Sequence, residues 1–339
     1  MVISSLITFA WLVKPVIGYV IDNFLNKRAW IFIALIFSMI LAAVVGLNHL
    51  PLSILIGVLI ISSAWAAFRD VAVDGIMCIE GKKHNATGTI QSVQWLSISA
   101  ATLLTGIGGG YIAERWDFKV AFLCLIPIYI LVGIVAYFYK TEEPIRSETP
   151  SKFIQDMKTI FSNKKLLMAG SFIFLYRYSP SFGTPLFFIQ RDAFKWSKIW
   201  IGALSTLDTV FAIAGALLYY KFCKKINIRK WLFISVFAGA VTTLSYLYYT
   251  PATAIIYDIA YSLMSMFIFL MILDFMARNS ISGLEAASFA LLASLSNLAL
   301  VASNLSGAYL LPILGLQGLI IISSGTSFLC LFLINKITA

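Results

Sequence analysis

Long apolar runs, each closed by a few polar residues, recur from one end of this chain to the other. Eleven of them can be traced, at about 2–21, 29–47, 52–79, 88–113, 119–139, 166–190, 199–222, 230–249, 252–277, 284–311 and 317–335. A helix of roughly 20 apolar residues crosses the hydrocarbon core of a bilayer. It also satisfies its own backbone hydrogen bonds where no water is present. The runs are too long and too continuous for the alternating strands of a membrane barrel. The pattern predicts an all-α, polytopic membrane protein with about 11 transmembrane helices. Runs longer than 20 residues predict tilt or helix continuing past the bilayer.

Composition agrees. Hydrophobic residues make up 60% of the chain and charged residues 12%, with a mean hydropathy of +0.91, whereas soluble domains carry about 25% charge. The placement of the 25 Lys and Arg adds orientation. Seventeen fall in one alternating set of loops and the C-terminus, five (Arg115, Lys119, Arg191, Lys195 and Lys198) in the opposite set, and three (Lys14, Arg69 and Arg177) inside spans. Basic residues gather on the cytoplasmic side. Loop 22–28, loop 140–165 and the C-terminus are therefore predicted to be cytoplasmic, with Met1 outside, in a plasma or inner membrane. The net charge of +10 follows from this topology and does not point to nucleic acid.

One connection, "KTEEPIRSETPSKFIQDMKTIFSNKK" at 140–165, is long and polar. It divides the chain into an N-terminal bundle, 1–139, with five spans, a cytoplasmic linker, 140–165, and a C-terminal bundle, 166–339, with six. Residues 152–163 have the makings of a short surface helix, with Phe153, Ile154, Met157, Ile160 and Phe161 to one side. A plain linker is the simpler expectation.

Little points to an enzyme. Cys78, Cys124, Cys223 and Cys330 lie far apart and suit apolar filling. His49 and His84 are the only histidines, too few for a histidine metal centre. No phosphate-binding loop or nucleophile elbow occurs, so neither a cofactor nor a metal is expected. The first segment lacks the basic start and cleavage site of a signal peptide. Asn85-Ala-Thr87 matches a glycosylation sequon but falls in a loop predicted to be cytoplasmic, and "TGIGGGY", 105–111, reads as close helix packing.

The chemistry lies in charges placed within spans, each costing about 2.5–3.5 kcal/mol or more if left facing lipid. Lys14 precedes Asp22 by eight residues, roughly 12 Å along a helix, and Asp70 precedes Glu80 by ten, roughly 15 Å. Their depths agree well enough for contact if the helices adjoin. Asp70 and Asp74 share one helix face, while Arg69 points about 100° away with a long stem. Two acids on one face repel, which favours proton binding, and a lysine opposite offsets that. The set suits proton coupling or gating, or else simply pins the spans together.

Arg177 follows Lys165 by twelve residues, roughly 18 Å in. It stands in "YRYSPSFGTP", where Pro180 and Pro185 predict a bent span around a polar space. Its fork of donors suits a carboxylate or phosphate, and the alternative is a counter-ion for Asp208. Gln91, Gln94 and Trp95 are placed to stack on and hydrogen-bond a flat heterocycle, or equally to bond between helices. Asp258 and Asp274 are expected to pair at interfaces or loops, and Glu285 to cap its helix or pair with Arg278.

Several motifs carry a family resemblance. "GYVIDNFLNKR", 18–28, resembles the cytoplasmic loop motif of the major facilitator superfamily. "WLVKP" at 11–15, "DVAVDG" at 70–75, "SPSFGTPLFFIQRD" at 179–192 and above all "GLEAASFALLASLSNLALVASNLSGAYL" at 283–310 resemble the folate–biopterin transporter family within it. The resemblance covers nearly the whole chain. It implies a two-bundle fold and a secondary active carrier, a proton symporter for folate, pterin or other small organic anions, expected to be a monomer in the lipid bilayer. If span 2–21 corresponds to the second family helix, five plus six spans stand where the family has six plus six. The alternatives are a carrier of the same fold for a muropeptide or acetyl-CoA-like cargo, or a transporter-derived protein that does not transport. On this reading Lys14, Arg177, Gln91, Gln94 and Trp95 bind substrate, while Asp70, Asp74, Arg69 and Asp208 serve coupling or gating.

Overall fold

The computed structural model describes Trp11, residues 13–139 and residues 150–334. Half of the first predicted span, the linker stretch 140–149 and the C-terminal tail with Lys336 lie outside the described residues. Those described are almost wholly helical. The helices are α1 (Lys14–Asn23), α2 (Lys27–Leu47), α3 (Leu52–Lys83), α4 (Thr87–Arg115), α5 (Phe118–Phe138), α6 (Pro150–Ser162), α7 (Lys164–Arg177), α8 (Gly183–Phe188), α9 (Lys198–Phe222), α10 (Ile228–Ser245), α11 (Pro251–Asn279), α12 (Glu285–Leu329) and α13 (Leu331–Ile334). Seven stretches among the described residues are long and apolar enough to cross a membrane.

Helix starts follow local chemistry. The side chains of Asn26, Asn163, Ser197 and Asn227 accept from the backbone N–H three residues on, at 2.7, 3.0, 3.1 and 3.1 Å. Each satisfies a donor that the first helical turn leaves without a partner. The last two predicted spans are two helices that follow one another within α12 and meet at a kink at Gly315, whose φ of 64° and ψ of 178° are non-helical. A side chain there would be strained, and glycine is not. Residues 150–162 form a helix.

The chain packs as two compact units. The first comprises residues 1–83, 100–162 and 280–294, so the start of α12 packs with α1–α3, α5 and α6. Its core joins Ile17 and Ile21 of α1, Leu35 of α2, Ala67 and Val71 of α3, and Ala286 and Ala290 of α12. Aromatic rings line the seam of α2 and α3, with Phe37 stacked on Trp65 at 4.2 Å and Trp30 on Phe68 at 5.3 Å.

The second unit comprises residues 84–99, 163–279 and 295–339, so α4 supplies its first half here. Tyr219, Phe172, Phe275 and Leu270 are fully buried in it. In both units large apolar side chains such as Leu131, Val135, Phe237 and Ile256 face outward. Apolar tails solvate such surfaces as readily as a protein core does, so this exposure fits lipid and not water.

Candidate functional site

In the first unit, α1 and α3 bring Lys14 and Asp70 together as the depth argument predicts. Lys14 Nζ lies 2.5 Å from Asp70 Oδ2, with side-chain exposures of 7% and 31%. Lys14 also sits 4.4 Å over the indole ring of Trp11, whose Nε1 donates to Ser63 Oγ at 3.2 Å. Arg69, the neighbour of Asp70, turns to α5 and lies over the Tyr129 ring at 5.4 Å, with Nη1 buried and without a hydrogen-bond partner. Asp74, one turn beyond Asp70, is buried. The two acids share a helix face but not an environment.

At the loop end of α1 the chain builds a second charged cluster. Asp22 accepts from the backbone N–H groups of Ala286 at 3.3 Å and Ala287 at 2.8 Å, the open donors at the start of α12. Lys27 Nζ lies 3.2 Å from Asp22. Helix starts favour an anion. Burial nonetheless raises the Asp22 carboxyl from 3.8 to about 6, against the opposite pull of Lys27 and of the Ala287 and Ala286 N–H groups. Glu285 accepts from Gly283 N at 2.8 Å, the local capping alternative and not the pairing with Arg278.

In the second unit, α7 ends at Arg177, and an irregular segment, 178–182, precedes α8. The predicted bend is a full break. Serines hold it: Ser181 N–H donates to Ser303 O at 3.0 Å, Ser303 Oγ donates to Ser179 O, and Ser179 Oγ pairs with Ser323 Oγ. The guanidinium of Arg177 lies 5.6 Å over the Phe269 ring, and its Nε is buried with no partner. On Phe269 the Trp95 ring meets it edge-on at 4.7 Å. One turn before Trp95, Gln91 is 1% exposed and its Oε1 has no partner. Arg177 and Trp95 thus meet on Phe269, and Gln91 lies one turn from Trp95 on α4. Gln94 lies on the same helix, half-buried. Asp208 accepts from Ser262 Oγ at 2.8 Å and does not pair with Arg177.

One residue escaped sequence reasoning, and a second was expected only to pair at an interface or loop. Phe269 looked like one apolar residue among many, and nothing local marks it as the platform between Arg177 and Trp95. Asp274 is fully buried, with 0% side-chain exposure, and is the hub of its own network. Thr87 Oγ1 donates to it, as do Tyr219 OH at 2.8 Å and Arg278 Nε and Nη2 at 3.0 Å each. Its spacing of four residues from Arg278 was a legible signal.

Comparison with known proteins bears on this geometry. Over 275 residues the chain is 26% identical to a folate-biopterin transporter of Synechocystis sp., covering 76% of this chain and 56% of that protein. The chain therefore spans just over half the length of this curated relative. Among solved structures it is similar to the human organic anion transporter MFSD10 (TETRAN), with a TM-score of 0.77, 16% identity, and coverage of 98% of this chain and 82% of that one. It is also similar to the E. coli fucose:proton symporter FucP, with a TM-score of 0.75, 11% identity, and coverage of 100% and 92%. Both likenesses concern the fold. Residues 1–285 match the Major Facilitator Superfamily along most of the chain, in keeping with the all-helical membrane fold, and the chain belongs to that family.

Proposed function

We propose that this protein is a secondary active carrier of small organic anions of the folate or pterin type, driven by protons and working as a monomer. It sits in a plasma or inner membrane with 140–165 and the C-terminus cytoplasmic, and its bundles are 1–139 and 166–339. Arg177, Gln91, Gln94, Trp95 and Lys14 contact the cargo. Asp70, Asp74, Arg69 and Asp208 serve coupling or gating.

The observation that carries the proposal is this arrangement in the second unit. A guanidinium with an open, buried Nε lies on Phe269, the ring of Trp95 meets the same platform, and Gln91 holds an open, buried acceptor on the Trp95 helix. A flat heterocycle that carries N–H donors and a carboxylate needs these same elements: aromatic surface, acceptor and cationic fork. The similar folate-biopterin transporter supports the choice of cargo. Protons supply a need of the transport itself, since each negative charge moved into a cell costs about 2.3 kcal/mol per 100 mV of inside-negative potential.

Uptake of labelled folate and biopterin by cells expressing the chain tests this. Arg177→Lys keeps the charge but loses the planar fork, and it should weaken folate uptake roughly tenfold or more at low folate concentration. Equal uptake by Arg177→Lys and the parent removes Arg177 from the site.

A further inference from the structure

The Lys14–Asp70 pair is unequal. The cation is held from two sides, by Asp70 at 2.5 Å and by the Trp11 ring at 4.4 Å, and its side chain is 7% exposed. The acid is held by the cation alone: Lys14 is its one hydrogen-bond and ion-pair partner among the described residues, and its side chain is 31% exposed. A site that only pinned α1 to α3 would gain from burying and doubly bonding the acid, as the second unit does with Asp274.

We propose that Asp70 is a built-in stand-in for a carboxylate of the cargo, which neutralises Lys14 while the site is empty and gives Lys14 up when a cargo carboxylate arrives. This rests on the carrier reading above and adds how its cationic site stays charge-balanced. A bare ammonium among apolar helices is costly. With Asp70 in place the empty site avoids that cost. The incoming anion meets the half-exposed acid first and replaces like with like.

The surroundings leave Asp70 few other options once displaced. On its own helix Arg69 lies over Tyr129 of α5, and Asp74 is buried one turn on. From α2, Lys27 reaches Gly75 and pairs with Asp22 of α1. From the start of α12, Glu285 caps Gly283. Departure of the anion returns Asp70 to Lys14.

Folate and biopterin make a matched pair of probes, since folate carries two carboxylates and biopterin carries none. If Asp70 occupies Lys14 nine-tenths of the time, removing it improves the apparent affinity for a carboxylate about tenfold. Asp70→Asn in the purified full chain should therefore tighten folate binding roughly tenfold and leave biopterin binding unchanged. Lys14→Met should weaken folate binding at least as much, and adding Asp70→Asn to Lys14→Met should change nothing further. Should Asp70→Asn fail to fold, the parent protein gives a second readout. A hydrophobic carbodiimide, which couples to carboxyls in apolar surroundings and is kept off by an ion pair, should label Asp70 several-fold more with folate bound and no more with biopterin bound. Unchanged or weaker folate binding by a folded Asp70→Asn overturns the proposal, and so does carbodiimide labelling that folate leaves alone. If the parent binds neither folate nor biopterin, the cargo reading itself has failed and the proposal falls with it.

Discussion

Gly307 offers the sharpest test of how the second unit is built. A Cβ placed there would lie 2.0 Å from the carbonyl oxygen of Ser181 and 2.7 Å from its nitrogen. Ordinary contact begins at 3.4 Å, so in Gly307→Ala the segment after Arg177 must retreat about 1.4 Å, the difference between 3.4 and 2.0. Backbone cannot swing aside as a side-chain tip can. The retreat breaks Ser181 N–H to Ser303 O, and strains Ser303 Oγ to Ser179 O and the Ser179–Ser323 hydroxyl pair. Three hydrogen bonds at about 1 kcal/mol each, together with about 1–3 kcal/mol for overpacking, exceed the roughly 1 kcal/mol that alanine gains over glycine in a helix. The net expected loss is about 3–5 kcal/mol. Gly239 is the control, since a Cβ there meets nothing within 4 Å. Unfolding of the detergent-solubilised protein, followed by thermal or dodecyl sulfate titration, should show Gly307→Ala strongly destabilised and Gly239→Ala at or slightly above the parent. Equal stability of the two variants would refute the view that the break is welded to α12 through Ser181.

Asp274→Ala should cost more than Arg278→Met, by about 2 kcal/mol or more, because it strands Thr87, Tyr219 and Arg278 together while the second change leaves two donors in place; folded yield and unfolding midpoint measure both, and the reverse order contradicts the hub. For Asp22, whose carboxyl is raised to about 6 by burial, the folded state holds the proton more tightly than the unfolded chain. This group therefore adds stability as pH falls from about 6 towards 3.8, and the addition is lost as pH rises through 6. Against Asp22→Asn, which cannot titrate, the parent should gain stability between pH 7 and pH 4.5, and parallel pH profiles would dismiss the assignment. Cysteines introduced at Ala193 and Lys225, in a background without the native four, test topology: an impermeant thiol reagent on intact cells should label position 193 and spare 225, and the opposite pattern inverts the orientation.

Helix positions were legible from sequence because their causes are local. Apolar runs of membrane length act within a turn or two of where they stand, and so do the asparagine and serine caps and the glycine at 315 that the structure reveals. Depth was legible for the same reason, since a helix rises about 1.5 Å per residue, and depth alone matched Lys14 to Asp70 across 56 residues. Rotation about the helix axis and the identity of the neighbouring helix are another matter. They depend on how every helix in a unit packs at once, and no single stretch of sequence encodes them. Arg177 and Asp208 stand at plausible depths for a pair, yet packing turned Arg177 onto Phe269 and Asp208 onto Ser262. Arg278 had two acids within seven residues, and it took Asp274 because both project from the same stripe of α11, while Glu285 begins a separate helix and caps it. Thr87 joined the same acid from 187 residues away. The sequence by itself determined where the chain crosses the membrane and which charges had to find partners there; only the tertiary structure decided which partner each one met, because partnership is set by helix rotation and adjacency, which are collective properties of the packed unit.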